Sequence, residues 1–276
     1  RTVDGVGRGG IAGLGVAAVD IACWDAKAKA AGQPLHRLLG AFRERVPVYS
    51  TDGGWLNHTE DQLVAEAKEV QRRGIRGMKL KVGKPDPVED ADRIRAVRGV
   101  LGPHADVMVD ANEAFTHAEA IRSARLFEPL NPFWFEEPLP AEDILGHAKL
   151  KAHTSIPIAL GESLYNKFQF KDYIASDGVS IVQADAARCG GITEWLKIAH
   201  MADAYNMKIS PHFVMELHLP LVAAVPNGLF VEYIPSLDPV LVKPLALQDG
   251  HFVPSEAPGT GVAFDPEKLA RYESKE

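Results

Sequence analysis

From residue 46 to residue 235 short, β-rich apolar runs alternate with longer segments whose apolar positions recur at helical spacing. The runs predict strands at 46–51, 77–82, 105–111, 133–136, 156–161, 179–184, 208–210 and 229–233. Helices are predicted between them over 60–73, 88–101, 116–127, 193–205 and 214–224. An earlier helix is expected over 13–31, with Val16, Val19, Cys23 and Trp24 as its apolar stripe, Gly32 as its C-terminal cap and Pro34 as a stop. Eight strand-like runs joined by helical connectors predict an α/β fold in which a right-handed parallel wind closes into a barrel. The rival, a doubly wound open sheet, binds ligands mainly at one switch point. It does not account for a charged or polar residue at the end of nearly every strand.

After Pro235 the pattern changes. Pro239, Pro244, Pro254, Pro258 and Pro266 punctuate a stretch expected to run extended, without a long helix, and to pack on something else. The expected organisation is a helical segment over 1–45, a catalytic barrel over 46–235 and a C-terminal tail over 236–276.

The strand ends carry the chemistry, because all strands of a parallel barrel open on one face. Lys79 and Lys81 close the second run, Asp110 the third, Glu136 the fourth and Glu162 the fifth. Asp185, His212 and Glu232 follow at the sixth, seventh and eighth. Asp110, Glu136 and Glu162 are spaced 26 residues apart each time, one βα unit per step. Three carboxylates without a thiolate make a hard-oxygen site suited to Mg²⁺ and, less often, Mn²⁺. The bland alternative is that such acids merely cap the following helices. Lys79 and Lys81, two apart, point the same way on a strand. Their repulsion is expected to lower the pKa of at least one and expose a neutral amine. Asp185 is expected to bond one ring nitrogen of His212 and raise the basicity of the other. Glu232 is expected to bond a substrate carboxylate or a developing enediolate if it is protonated.

Lys79-x-Lys81, Asp110-Ala-Asn112, Glu136-Glu137-Pro138, Gly161-Glu162, Asp185 and His212, taken as an ordered set, resemble the enolase superfamily, in its mandelate racemase subgroup. The resemblance runs from the helix containing Asp20 and Asp25 through Glu232 and Tyr233. It implies a (β/α)7β barrel of the enolase type and a Mg²⁺ ion held by Asp110, Glu136 and Glu162. Lys81 would then be one base and His212, oriented by Asp185, the other. Lys79 would neutralise the substrate carboxylate and Glu232 would support the enolate. Members of the family carry an N-terminal α+β capping domain, most of which is expected to be absent from this chain, which begins at Arg1.

The implied half-reaction removes the proton alpha to a carboxylate. The general pattern, a Lys or His base with Mg²⁺, is the standard description of enolase-superfamily sites. Ser50, Thr51, Asp52, Asn57 and His58 after the first strand, and Tyr165, Asn166 and Lys167 after Glu162, give the pocket a polar rim. That rim, with Asn112 and Tyr165 as substrate-binding candidates, favours a polyhydroxylated acid. The segment around Glu162 also resembles that of the subgroup's acid-sugar dehydratases. The expected reaction is therefore dehydration of an aldonate or aldarate, with racemisation or epimerisation as the alternative. Two remoter alternatives are a sugar-phosphate barrel, with Gly190 and Gly191 gripping phosphate at the next helix, and a noncatalytic binder.

Composition narrows partners rather than chemistry. A net charge of −7 supplies no basic field for nucleic acid or an anionic membrane. Two distant cysteines, Cys23 and Cys189, fit a reduced, cytoplasmic protein. No apolar run is long enough to span a bilayer and no signal-peptide pattern is read. The family resemblance adds an expected homo-oligomer.

Overall fold

The computed structural model describes residue 7 and residues 9–273, so the outermost parts of the predicted first and last segments lie outside the described residues. Two helices come first, α1 (Gly10–Ala30) and the short α2 (Leu35–Leu38). The barrel then runs β1 (Val46–Ser50), α3 (Glu60–Arg72), β2 (Gly77–Lys81), α4 (Pro87–Leu101), β3 (Asp106–Asp110) and α5 (His117–Phe127). It continues through β4 (Phe135–Glu136), α6 (Ile144–Lys151), β5 (Ile158–Leu160), α7 (Lys167–Ala175), β6 (Ile181–Val182) and α8 (Ile192–Ala204). It ends with β7 (Lys208–Ile209), α9 (Met215–Ala224) and β8 (Val231–Tyr233). The strands pair in parallel in the order β7-β6-β5-β4-β3-β2-β1-β8. A parallel bridge between Ile209 and Gly228 brings β7 to the chain entering β8 and closes the ring. Seven strands are followed by a helix and the eighth is not, which is the expected (β/α)7β pattern.

Period-2 alternation sorts each strand into two faces. Met78, Leu80, Val107, Val109, Phe135 and Val231 join the core that packs under the helices. The intervening positions Tyr49, Met108, Trp134, Ala159, Ile181 and Phe230 form a second apolar cluster inside the ring. There Tyr49 meets Trp134 edge-on at 5.1 Å and Phe230 at 6.0 Å, a favoured arrangement of ring quadrupoles. This aromatic floor lies one inward position before Asp110, Glu136 and Glu232, so the charged groups rest on a dry base. Helix starts are locally encoded. Thr59 with Gln62, and Thr116 with Glu119, form capping boxes at α3 and α5.

Of the expected stripe on α1 only Trp24 turns inward. Val16, Val19 and Cys23 are exposed, whereas Gly13, Ala17 and Ala28 are buried. The inward face uses small and polar residues: Asp20 accepts hydrogen bonds from the Thr193 backbone N–H at 2.9 Å and hydroxyl at 2.6 Å, and Trp24 Nε1 donates to the same hydroxyl at 2.8 Å. Such a face is invisible to hydrophobic periodicity. The eight- and nine-residue helices α6 and α7 also went unpredicted. So did α2 and β9 (His251–Phe252), which pairs antiparallel with the start of β1 and buries Phe252. Among the described residues the rest of the tail has isolated bridges, 3-10 turns and the four-residue α10 (Pro266–Leu269) but no long helix, as its prolines suggest.

Gly54 holds the site strand in place. Its carbonyl accepts the Lys81 N–H at 2.7 Å, and a Cβ there would lie 2.1 Å from the Lys79 carbonyl oxygen. Gly54→Ala is expected to destabilise the fold by about 1–3 kcal/mol through overpacking, read as a lower urea midpoint. An unchanged midpoint would show that the loop moves aside freely.

Candidate active site

Strand register lines up the first charged groups. Lys81 is the β-partner of Asp110, and Asp110 is the β-partner of Glu136. One oxygen each from Asp110, Glu136 and Glu162 gathers so that all three lie within 4.8 Å of one another. Asp110 and Glu136 are essentially inaccessible to solvent. Lys81 Nζ donates to Asp110 Oδ2 at 2.5 Å and retains 15% exposure, so it faces the open mouth of the barrel. Lys79, one inward position lower, is 1% exposed and contacts Glu136 at 2.7 Å, Glu232 at 2.8 Å and Asp110 at 3.3 Å.

This arrangement changes two expectations. Burial disfavours the Lys79 ammonium, but Glu136, Glu232 and Asp110 outweigh it and hold its pKa well above the ordinary lysine value. Repulsion by Lys81 does not make Lys79 a neutral amine. Glu232 is likewise not protonated. Burial opposes its charge, but Lys79 and His212 hold it well below the usual carboxylate range. Hydrogen bonds from the Thr51 hydroxyl (2.6 Å) and the Phe213 N–H (2.7 Å) stabilise the same charge. Lys79 shares one charge among three carboxylates, and even at 2.7 Å it does not keep Glu136 low. Burial and the neighbouring Asp110 push it up to about 8. Glu137, buried beside Glu162 and Asp110, is pushed up to about 9.

On the other flank His212 Nδ1 lies 3.0 Å from Asp185 Oδ2, the expected pair. Its Nε2 lies 3.3 Å from Glu162 Oε2. Burial favours neutral His212, but the bond to Asp185 and the charges of Glu162 and Glu232 raise its pKa. Asp185 is lowered: the bond and charge of His212 and the Ala187 N–H outweigh its own burial. Lys81 thus touches the Asp110 end of the carboxylate cluster and His212 the Glu162 end.

The remaining sequence candidates separate. Asn112 is exposed with φ +44°, its N–H donating to Asp110 Oδ1 at 2.9 Å. It borders a cleft of about 770 Å³ that also reaches Lys81, Asn57, Trp55 and Lys84. Tyr165 is half-buried after Glu162, with its N–H donating to Gln169 at 2.8 Å. Asn166 and Lys167 are structural, since Asn166 caps α7 and Lys167 pairs with Glu194 at 2.9 Å. Thr51 is buried behind Glu232 rather than lining a rim. The phosphate alternative fails on occupancy of the α8 N-terminus. Asp20 accepts the Thr193 N–H there, and a Cβ on Gly191 would lie 2.4 Å from the Asp20 carboxylate. A phosphate would meet that negative charge.

Sequence reading missed the groups that hold Glu136: Trp134 Nε1 and Gln183 Nε2 each donate to its Oε2 at 2.8 Å. Both sit two residues before a site acid, on the same face of the strand, and that spacing was the available signal.

The residues fit a hard divalent cation. The donor set is all carboxylate, and Glu162 Oε2 is buried without accepting a hydrogen bond among the described residues. Burial, and after it the neighbouring carboxylates, raise Glu136 and Glu137, and a cation would offset the charge crowded there.

The chain is similar to known proteins along most of its length. Residues 62–268 match the family model for the enolase C-terminal domain-like fold, and residues 6–40 match that for the mandelate racemase / muconate lactonizing enzyme N-terminal domain. The chain is 44% identical over 256 residues to an L-talarate/galactarate dehydratase of Salmonella typhimurium, covering 93% of this chain and 64% of that protein. It therefore spans under two thirds of that relative's length. It is 36% identical to a 3,6-anhydro-alpha-L-galactonate cycloisomerase of Streptomyces coelicolor, covering 96% of this chain and 73% of that one. Its structure matches the crystal structure of an L-talarate dehydratase from Polaromonas sp. JS666 complexed with Mg and L-glucarate. The TM-score is 0.92 and the identity 41%, covering 98% of this chain and 75% of that one.

Proposed function

Because the chain belongs to the mandelate racemase / muconate lactonizing enzyme family of the enolase superfamily, we propose that it dehydrates an acid sugar, an aldonate or aldarate, to a 2-keto acid. One observation carries the reading. Lys81 and His212 contact opposite members of a single carboxylate cluster, Asp110 and Glu162. A sugar acid whose carboxylate lies over that cluster has its α-carbon between two proton-transfer groups.

Asp110, Glu136 and Glu162 would hold Mg²⁺, which supplies positive charge for the substrate carboxylate as negative charge grows on it. Lys81, as the base, takes the α-proton, and the C–H electron pair moves toward the carboxylate to give an enediolate. His212, protonated at Nε2 and steadied by Asp185, gives its proton to the β-hydroxyl. The carbon–oxygen bond breaks and water leaves. The resulting enol becomes the 2-keto acid when its hydroxyl proton passes through solvent to the β-carbon. Lys79 stays charged below this layer, balancing Glu136 and Glu232 and keeping Glu232 in place. Its long-range charge favours a substrate carboxylate, and Asn112 and Tyr165 are the proposed polar contacts at the rim.

A second reading, racemisation or another isomerisation, rests on the same two flanks and on the likeness to a cycloisomerase. Mn²⁺ is the proposed substitute metal, and a cytoplasmic homo-oligomer the proposed form. The cytoplasmic placement is supported by two free cysteines, Cys23 and Cys189. Among the described residues no helix is long and apolar enough to cross a membrane.

The test is incubation with a panel of mono- and diacid sugars and Mg²⁺, reading 2-keto acid. One or more acids should react, EDTA should stop the reaction, and added Mg²⁺ or Mn²⁺ should restore it. Exchange of the α-proton without any keto acid would replace dehydration by the isomerase reading.

A further inference from the structure

His218 belongs to α9 and is fully buried, and the proposed proton transfers do not use it. Its ring nevertheless joins the two loops that carry the acid and the base. Nδ1 donates to the Phe213 carbonyl at 2.8 Å, and Nε2 accepts the Ala186 N–H at 2.9 Å. Phe213 follows His212, and Ala186 follows Asp185. Because a backbone N–H can only donate, Nε2 must carry the lone pair, so the ring is neutral with its proton on Nδ1. Burial favours the same neutral form.

The backbone it holds does not rest there unaided. Phe213 and Val214 have φ of +52° and +28°, and a β-branched residue in that region is a strained outlier that surrounding contacts must enforce. Two side chains grip Phe213: Glu232 accepts its N–H at 2.7 Å, and His218 grips its carbonyl. His218 Nε2 also lies 3.5 Å from Asp185 Oδ1, the oxygen that accepts the Ala187 N–H at 2.8 Å, while Asp185 Oδ2 faces His212. A histidine serving only as filler would leave a nitrogen idle or bonded within its own helix. This one spends both nitrogens on the residues immediately after His212 and Asp185.

We propose that His218 is a positioning residue, a neutral strut between the β6 and β7 loops that sets the separation and facing of Asp185 and His212. The inference rests on the proposed role of His212 only in its kinetic consequence; the geometric consequence stands apart from any substrate.

The experiment compares the protein with His218→Phe, His218→Gln and His218→Asn, using ¹⁵N-edited NMR of the His212 ring, Mg²⁺ titration, and steady-state kinetics on whichever acid sugar the panel identifies. Phe fills the space but makes neither bond. Gln can accept the Ala186 N–H, and Asn can donate to the Phe213 carbonyl. In His218→Phe the His212 Nδ1–H signal is expected to broaden or to show mixed tautomers. The kcat should fall about 10–100-fold, as for other outer partners of a site, with KM and Mg²⁺ affinity changed less than about twofold. Gln and Asn should each recover part of both readouts. An unchanged His212 signal in folded His218→Phe would overturn the proposal, and so would a kcat loss that merely tracks the folded fraction. Should His218→Phe not fold, the Gln and Asn variants decide it: intermediate His212 spectra support the strut, and wild-type spectra in both contradict it. If no acid sugar reacts with the wild-type protein, the dehydratase reading fails while the NMR comparison still decides the role of His218.

Discussion

Lys81→Met is expected to lower kcat for dehydration about 10²–10⁴-fold, the usual contribution of a positioned general base. Methionine keeps an unbranched stem of similar length, so the strand and its register with Asp110 should survive. What disappears is the one amine of the pair that faces the barrel mouth, since Lys79 is buried and held charged by three carboxylates. Lys79 therefore cannot replace it. The variant also relieves Asp110 of its contact with Lys81, so Mg²⁺ affinity should hold or rise rather than fall. Kinetics paired with Mg²⁺ titration check both halves. Near-wild-type kcat would remove Lys81 from the reaction. A matching collapse of metal affinity would mean the lysine serves the carboxylate cluster instead.

His212→Asn is expected to lose 2-keto acid formation by a similar factor, about 10²–10⁴-fold, while retaining part of the first step. The asparagine amide can still donate toward Asp185, so the loop is kept, but no acid remains at the position of Nε2. Lys81 should then continue to wash the α-proton of the substrate into D₂O without water being expelled. NMR of the recovered sugar acid measures this. Deuterium at the α-carbon with no keto acid fits the assignment. Loss of exchange with Mg²⁺ binding intact would reverse the two roles and make His212 the group that abstracts the proton.

The barrel and its charged ring were legible in the sequence because both follow from short-range rules. A strand ends where its apolar alternation ends, and the wind puts every such end on one face, so Asp110, Glu136 and Glu162 could be placed before any coordinates. Charge states were not legible. Lys79 and Glu232 are ordinary residues until folding sets them 2.8 Å apart on neighbouring interior positions of a closed ring. Their mutual stabilisation depends on burial and on Thr51 and Phe213, which lie 181 and 19 residues from Glu232 in sequence. The stripe on α1 failed for a related reason. Its buried face is defined by Asp20 and Trp24 reaching Thr193, a polar contact across 173 and 169 residues respectively, and no local periodicity records it. Helices α6 and α7 are short enough that their caps, Asp143 and Asn166, carry more of the signal than their apolar pattern.

The most direct test of the two-flank geometry is a crystal structure of the protein with Mn²⁺, located by its anomalous signal, and an acid sugar that it turns over. One metal peak is expected, touching an oxygen from each of Asp110, Glu136 and Glu162, with the α-carbon toward Lys81 Nζ and the β-hydroxyl toward His212 Nε2. A metal held elsewhere, or a sugar bound with its α-carbon facing neither side chain, would contradict that geometry.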